Sequence, residues 1–229
     1  DARERRCQVL EHRQRVADEI RRAVGAARAD PIDDGAEQRL KRMQWARRRL
    51  ARAVGYSETA FAAKQGEGWR VRYFSPASEV PFCGHATIAL GAVLARREGD
   101  GVFALSLNAA AITVEGRRDG ARVAAALQSP PTWSRPAAAD LVTDALALFG
   151  YHDADLDPRI PPALAHAGAN HLVLALASRD LLGAMRYDLE AGRALRQPHG
   201  LTTIVLAWAR HARKFHTRNR FASGGVYKG

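Results

Sequence analysis

The sequence predicts an α+β fold of two similar halves, the first a curved sheet rolled round one central helix. Three observations predict it. The run ATIALGAVLA after His85 is apolar on nearly every face, and a helix of that kind has to be surrounded rather than laid on one side. Strand-like alternation flanks the run before and after it. Gln128–Pro136, with three prolines in nine residues, reads as a linker, and beyond it the pattern restarts without a second all-apolar helix. The halves are therefore 32–128, with the central helix over 86–97, and 129–229, an incomplete second lobe, preceded by a divergent charged segment, 1–31.

Element by element, Leu40, Met43, Ala46, Leu50 and Val54 recur at steps of three or four and predict an amphipathic helix from Ala36, which Gly55 stops. Trp45 lies off that stripe and needs a second neighbour to cover it. Glu58–Ala62 is expected as a short strand, and Trp69–Phe74 alternates as another beyond the turn at Gly66–Gly68. Pro76 and Pro81 forbid regular structure before the central helix, which Arg96, Arg97 and Gly99 close. Val102–Leu107, Ile112–Gly116 and Val123–Leu127 are the strands expected to wrap it, with Asp119-Gly120 as a hairpin turn. In the second half, Ala138–Phe149 predicts a helix stopped by Gly150, His171–Ala177 a buried strand, Asp180–Leu195 partial helix, and Thr202–Ala207 and Lys214–Phe221 two further strands.

Composition narrows the function classes. With 229 residues, 47% hydrophobic and 26% charged, the chain is neither disordered nor fibrous. Its longest strongly apolar stretch, Ile88–Ala95, is less than half the ~20 residues a bilayer needs. The first residues, DARERRCQVLEHRQ, lack the apolar core of a secretory signal. Two cysteines, Cys7 and Cys83, cannot build a disulfide framework, which makes a reducing cytoplasm the expected location. The net charge of +11 raises the question of nucleic acid, but arginine supplies 31 of the 35 basic residues. That skew fits GC-rich coding better than a phosphate-binding surface. The first 52 residues, 15 basic and 9 acidic, read as a solvated Arg/Glu face, and no helix-turn-helix or zinc-finger spacing accompanies them.

Three patterns remain: Gly55-Tyr-Ser-Glu-Thr-Ala-Phe61, Pro81-Phe-Cys-Gly-His-Ala-Thr87, and Phe215-His-Thr-Arg-Asn-Arg-Phe-Ala-Ser-Gly-Gly-Val226. Together they resemble the PhzF-like phenazine-biosynthesis isomerases, which share the diaminopimelate-epimerase fold, over Met43–Val226. The resemblance implies two pseudo-symmetric lobes with a cleft between them, a homodimer, and proton shuttling on a small carboxylated substrate without metal or organic cofactor. It puts Glu58 on the family's general acid/base, His85 on its active-site histidine, and Ser57, Gly84 and Ala86 at the substrate.

The residues themselves are compatible with these roles. A carboxylate that gives and takes protons near neutral pH has to be partly desolvated, and Glu58 sits among Tyr56, Ala60 and Phe61. A lone strand glutamate would ordinarily face solvent; the surrounding motif reverses that expectation. At the start of the central helix, free N–H groups of Gly84, His85 and Ala86 suit a substrate carboxylate, and glycine allows close approach. The other seven histidines are scattered without metal-ligand spacing, which argues against a zinc site. Cys83 is expected to be a buried structural residue, because thiol acid/base chemistry needs a second thiol and Cys7 lies where nothing matches.

Two departures from the family pattern stand at the ends. Residues 1–31 lack the strand and Gly-Asn-Pro turn with which the family begins, and Gly-Gly-Val-Tyr227 leads only to Lys228-Gly229 rather than to a second central helix. A gene fragment or frameshift would explain both, and a catalytically impaired or inactive fragment is the alternative functional reading. Loss of a core helix removes on the order of 10 kcal/mol of burial, comparable with whole-domain stability. The second lobe, from about Pro130, is therefore expected to be loosely folded or to depend on a partner.

Overall fold

A computed structural model describes residues 36–220. The charged segment 1–31 with Cys7, and the Phe221–Val226 end of the third motif, lie outside the described residues.

The first half opens with α1 (Ala36–Val54), after which Gly55, at φ 79°, turns the chain. Among its described side chains the deepest is Ala51, while Met43 on the expected stripe and Trp45 beside it are exposed; Arg49 lies over the Trp45 ring. The strands β1 (Thr59–Gln65), β2 (Gly68–Phe74), β3 (Glu79–Val80), β4 (Gly101–Ser106), β5 (Ala111–Asp119) and β6 (Arg122–Gln128) form one sheet, ordered β1-β2-β4-β5-β6 with β3 paired to β2. The hairpin at Asp119-Gly120 forms as expected, with Gly120 at φ 55°. Glu58 falls one residue before β1 rather than within it.

The central helix α2 (Gly84–Glu98) begins two residues earlier than expected and packs chiefly on β5 and β6. Every second residue of β5 faces it: Ile112, Val114 and Gly116 are buried and their neighbours exposed. At Gly116 helix and strand come so close that a Cβ there would run into the carbonyl oxygen of Gly91. One expectation is corrected. The helix is not enclosed all round: Ala86, Thr87, Gly91, Leu94 and Ala95 are buried, but Ile88 and Val93 remain 43% and 49% exposed. The described strands cover one side, and apolarity on the other side does not by itself supply a neighbour.

The second half is a five-stranded sheet, ordered β11-β10-β9-β8-β7, from β7 (Thr132–Pro136), β8 (Ala163–Ala167), β9 (Asn170–Ala175), β10 (Thr203–His211) and β11 (Lys214–Arg220). The proline-rich stretch read as a linker thus contributes a strand. Proline is tolerated there because β7 is an edge, with a free side that needs no N–H donors. The pairing of β9 and β10 is parallel, which requires a crossover; α4 (Arg179–Ala184) and α5 (Leu189–Arg196) supply it. With α3 (Ala139–Phe149), stopped by Gly150 in the left-handed conformation, they cover one face of the sheet. Leu172, Leu174, Ile204 and Leu206 meet Leu141, Leu146 and Phe149 there, all buried. The second half thus has a core of its own among the described residues. Among the described residues no helix follows β11, and none is long and apolar enough to cross a membrane.

Candidate active site

Strand pairing, not sequence proximity, assembles the site. Phe74, the last residue of β2, pairs with Thr59 on one flank and Glu79 on the other. The chain entering β1 and the chain leaving β3 toward α2 are thereby held at one end of the same strand. Ser57 and Glu58 arrive from the first motif, and Cys83 and His85 from the second.

Glu58 Oε2 lies 3.2 Å from His85 Nε2. The Glu58 side chain is only 12% exposed and that of His85 69%, so the pair has a sheltered member and a member open to solvent. The approach lacks hydrogen-bond alignment, and Glu58 Oε2 is buried without a hydrogen-bond partner among the described residues. Ser57 Oγ is 3.5 Å from the same imidazole nitrogen. Ser57, Glu58 and His85 thus come together at one place.

The first turn of α2 completes the site. Thr87 N–H donates to Cys83 C=O at 3.0 Å, the first helical bond, so the amides of the preceding turn have no helical partner. No side chain caps this end. Gly84 is half-buried, and a Cβ there would meet Leu127 and Phe82 at an ordinary 3.9 Å. The Ala86 side chain is buried in the core, which leaves its amide as the group it can offer. Behind the turn, the hydroxyls of Tyr73 and Thr87 lie 2.6 Å apart, and Thr87 Oγ1 also donates to the Cys83 carbonyl at 2.7 Å. This buried chain ties the helix start to β2.

Cys83 is buried as expected, yet it is not remote from the chemistry: its Sγ lies 3.5 Å from Nδ1 and 3.6 Å from Nε2 of His85. Burial, and then the neighbouring Glu58 carboxylate, push its thiol up to about 12, against a smaller pull from the His85 and Ala86 amides. A thiol so held stays protonated at neutral pH and is no acid/base partner. Its contact with His85 could have been suspected from the Cys-Gly-His spacing, whereas the Tyr73–Thr87 bond has no signal in the sequence.

Next to the site, Pro81 and Phe82 line a cavity of about 290 Å³ with Leu107, Trp133, His166 and Gly168, where the two halves of the chain meet. Trp133 and His166 stack there at 5.4 Å between ring centres. Neither Glu58 nor His85 lines it. The described part of the third motif lies on β11 in the other sheet and contributes none of the contacts above.

Comparison with known proteins agrees with the motifs. The family described as phenazine biosynthesis-like protein matches residues 33–228. The uncharacterized isomerase YddE of Escherichia coli O157:H7 is 31% identical over 66% of this chain and 52% of its own length. An uncharacterized isomerase of Deinococcus radiodurans is 31% identical over 77% and 58%. The trans-2,3-dihydro-3-hydroxyanthranilate isomerase of Pseudomonas fluorescens is 29% identical over 78% and 61%. The chain thus spans about half the length of the first of these relatives. The fold matches that of the Bacillus anthracis phenazine biosynthesis protein of the PhzF family, with a TM-score of 0.62 at 18% identity over 79% of this chain and 63% of that one. It also matches a hydroxyproline epimerase from Agrobacterium vitis, with a TM-score of 0.55 at 12% identity over 79% and 58%. Motifs, fold and family match agree, and the chain belongs to the phenazine biosynthesis-like (PhzF) family.

Proposed function

We propose that this chain is an isomerase or epimerase that moves a proton on a small carboxylic acid, with Glu58 as the acid/base and His85 as its partner. The observation that carries this reading is the 3.2 Å approach of a sheltered carboxylate to an exposed imidazole at a helix N-terminus. In this reading the substrate carboxylate rests on the amides of Gly84–Ala86, which no helical bond engages and where the helix dipole favours negative charge. Ser57 Oγ hydrogen-bonds the substrate or His85. Glu58 removes the proton from the carbon beside the carboxylate and, as the protonated acid, returns it at another carbon, while His85 supports the developing charge. A positioned acid/base group is worth ~10²–10⁴ in rate. No step needs a metal or organic cofactor.

A cytoplasmic location and a homodimer go with this reading, the latter checked by sedimentation. The activity is tested by incubating the chain in D2O with a panel of cyclic and amino-acid carboxylates, the dihydroaromatic acids acted on by relatives among them. Deuterium entering a C–H position of at least one member is the expected result. Absence of exchange across the panel contradicts the reading.

A further inference from the structure

One residue of the second motif touches the other half of the chain. Phe82 follows Pro81 in the irregular stretch that leads from β3 into α2. Its ring stands edge-on to that of Tyr73, with centroids 6.2 Å apart, and Tyr73 is the residue that ties the start of α2 to β2 through Thr87. Phe82 also lies against Gly168, at the tip of the β8–β9 hairpin. There His166 pairs with Asn170, the Ala167 N–H donates to the Ala169 carbonyl at 3.2 Å, and Gly168 stands at φ 83°. A Cβ at 168 would lie 2.6, 2.8 and 2.9 Å from Cδ1, Cγ and Cβ of Phe82. Ordinary carbon contacts are about 3.5–4.0 Å, so one partner would have to give by about 1 Å. The hairpin is held within a five-stranded sheet, whereas Phe82 sits on an irregular stretch beside a cavity. Phe82 is the partner that moves.

We propose that Gly168 is a positioning residue for the Glu58–His85 pair. Its bare backbone lets Phe82 seat against the second half, and that seat sets where Cys83 hands the chain to α2 and where His85 stands. Glu58 arrives on a different stretch of chain, ahead of β1, and does not move with it. The 3.2 Å approach of the two side chains thus depends on a hairpin in the other sheet. The turn asks for glycine because of its positive φ; the need for no Cβ comes from the other half of the chain. The seat itself is a matter of packing, and only its consequence for rate rests on the acid/base reading above.

The test compares Gly168→Ala with Gly200→Ala, which carries a similar backbone strain at φ 60° while its Cβ would meet only Asn170 Nδ2 at 4.0 Å. The readouts are the His85 ring C–H resonance, assigned by its loss in His85→Gln, and deuterium uptake into the best carboxylate of the panel. Gly168→Ala should move the resonance and slow uptake on the order of 10²-fold, the effect of a misplacement of about 1 Å. Gly200→Ala should do neither. Phe82→Ala removes two of the three colliding atoms, the nearest included. In that background Gly168→Ala should change uptake by less than about threefold. Phe82→Ala alone should move the resonance, which tests the seat even if Gly168→Ala does not fold. If the wild type takes up no deuterium, the acid/base reading fails and the resonance alone decides the seat. A His85 resonance unchanged in Gly168→Ala and Phe82→Ala, or an effect of Gly168→Ala on uptake that is equal with and without the Phe82 ring, overturns the proposal.

Discussion

The Glu58 carboxylate, one residue before β1, and the His85 imidazole, in the first turn of α2, approach to 3.2 Å because β1 and β3 flank the same end of β2. The carboxylate is fixed by its surroundings and the imidazole is free to meet a ligand. His85→Gln should therefore lower exchange activity by on the order of 10²-fold while leaving the melting temperature within about 2 °C. A large loss of stability with activity retained would make His85 a structural residue.

Cys83 should be chemically quiet. With its thiol pushed up to about 12 by burial and by Glu58, alkylation at pH 8 should be slower than for a free cysteine by at least about 10³-fold. Glu58→Gln removes one of the two causes and should speed it. Peptide mapping after timed alkylation separates Cys83 from Cys7; modification of Cys83 at the free-thiol rate would refute this placement.

The contact of α2 with β5 sets a stability test. Gly116→Ala would drive a methyl into the Gly91 carbonyl and to 2.8 Å from the Ala95 Cβ, and Gly91→Ala would put one 2.5 Å from Val114 Cγ2. Each should cost ~1–3 kcal/mol in chemical denaturation. Gly120→Ala, where nothing lies within 4 Å, meets only the strain of its positive φ.

The second half carries its own pH dependence. Arg159 donates to the buried Asp157 carboxylate through its guanidinium, at 2.6 and 2.9 Å, and through its backbone N–H, and holds it at about 2. A carboxylate whose folded value is depressed contributes stability that is present above its unfolded value, near 4, and is lost as the pH falls toward 2. Between pH 5 and pH 2 the wild type should lose stability more steeply than Asp157→Asn in urea titrations. Parallel curves would remove the pair from the acid response.

Much of this architecture was legible because local rules and tertiary packing agree. Gly150 stops α3, Asp119-Gly120 turns a hairpin, and β5 alternates against the helix it covers. Residues 163–167 are Ala-Leu-Ala-His-Ala, a strand with almost no β-branched or aromatic content, and nothing in that composition announces it. The strand Thr132–Pro136 is hidden by prolines that only an edge position permits. In α2, apolar residues at Ile88 and Val93 suggested a burial that the described strands do not provide. The motifs identified Glu58 and His85, but the inclusion of Cys83 depends on two strands pairing with a third, which no spacing encodes.

The most direct test of the account compares wild type, Glu58→Asp and Glu58→Gln for deuterium uptake into the best carboxylate substrate, followed by NMR. A retracted carboxylate should retain slow exchange and the amide none, with a drop of ~10²–10⁴ for Glu58→Gln. Uptake by Glu58→Gln at the wild-type rate would show that the proton travels by another group.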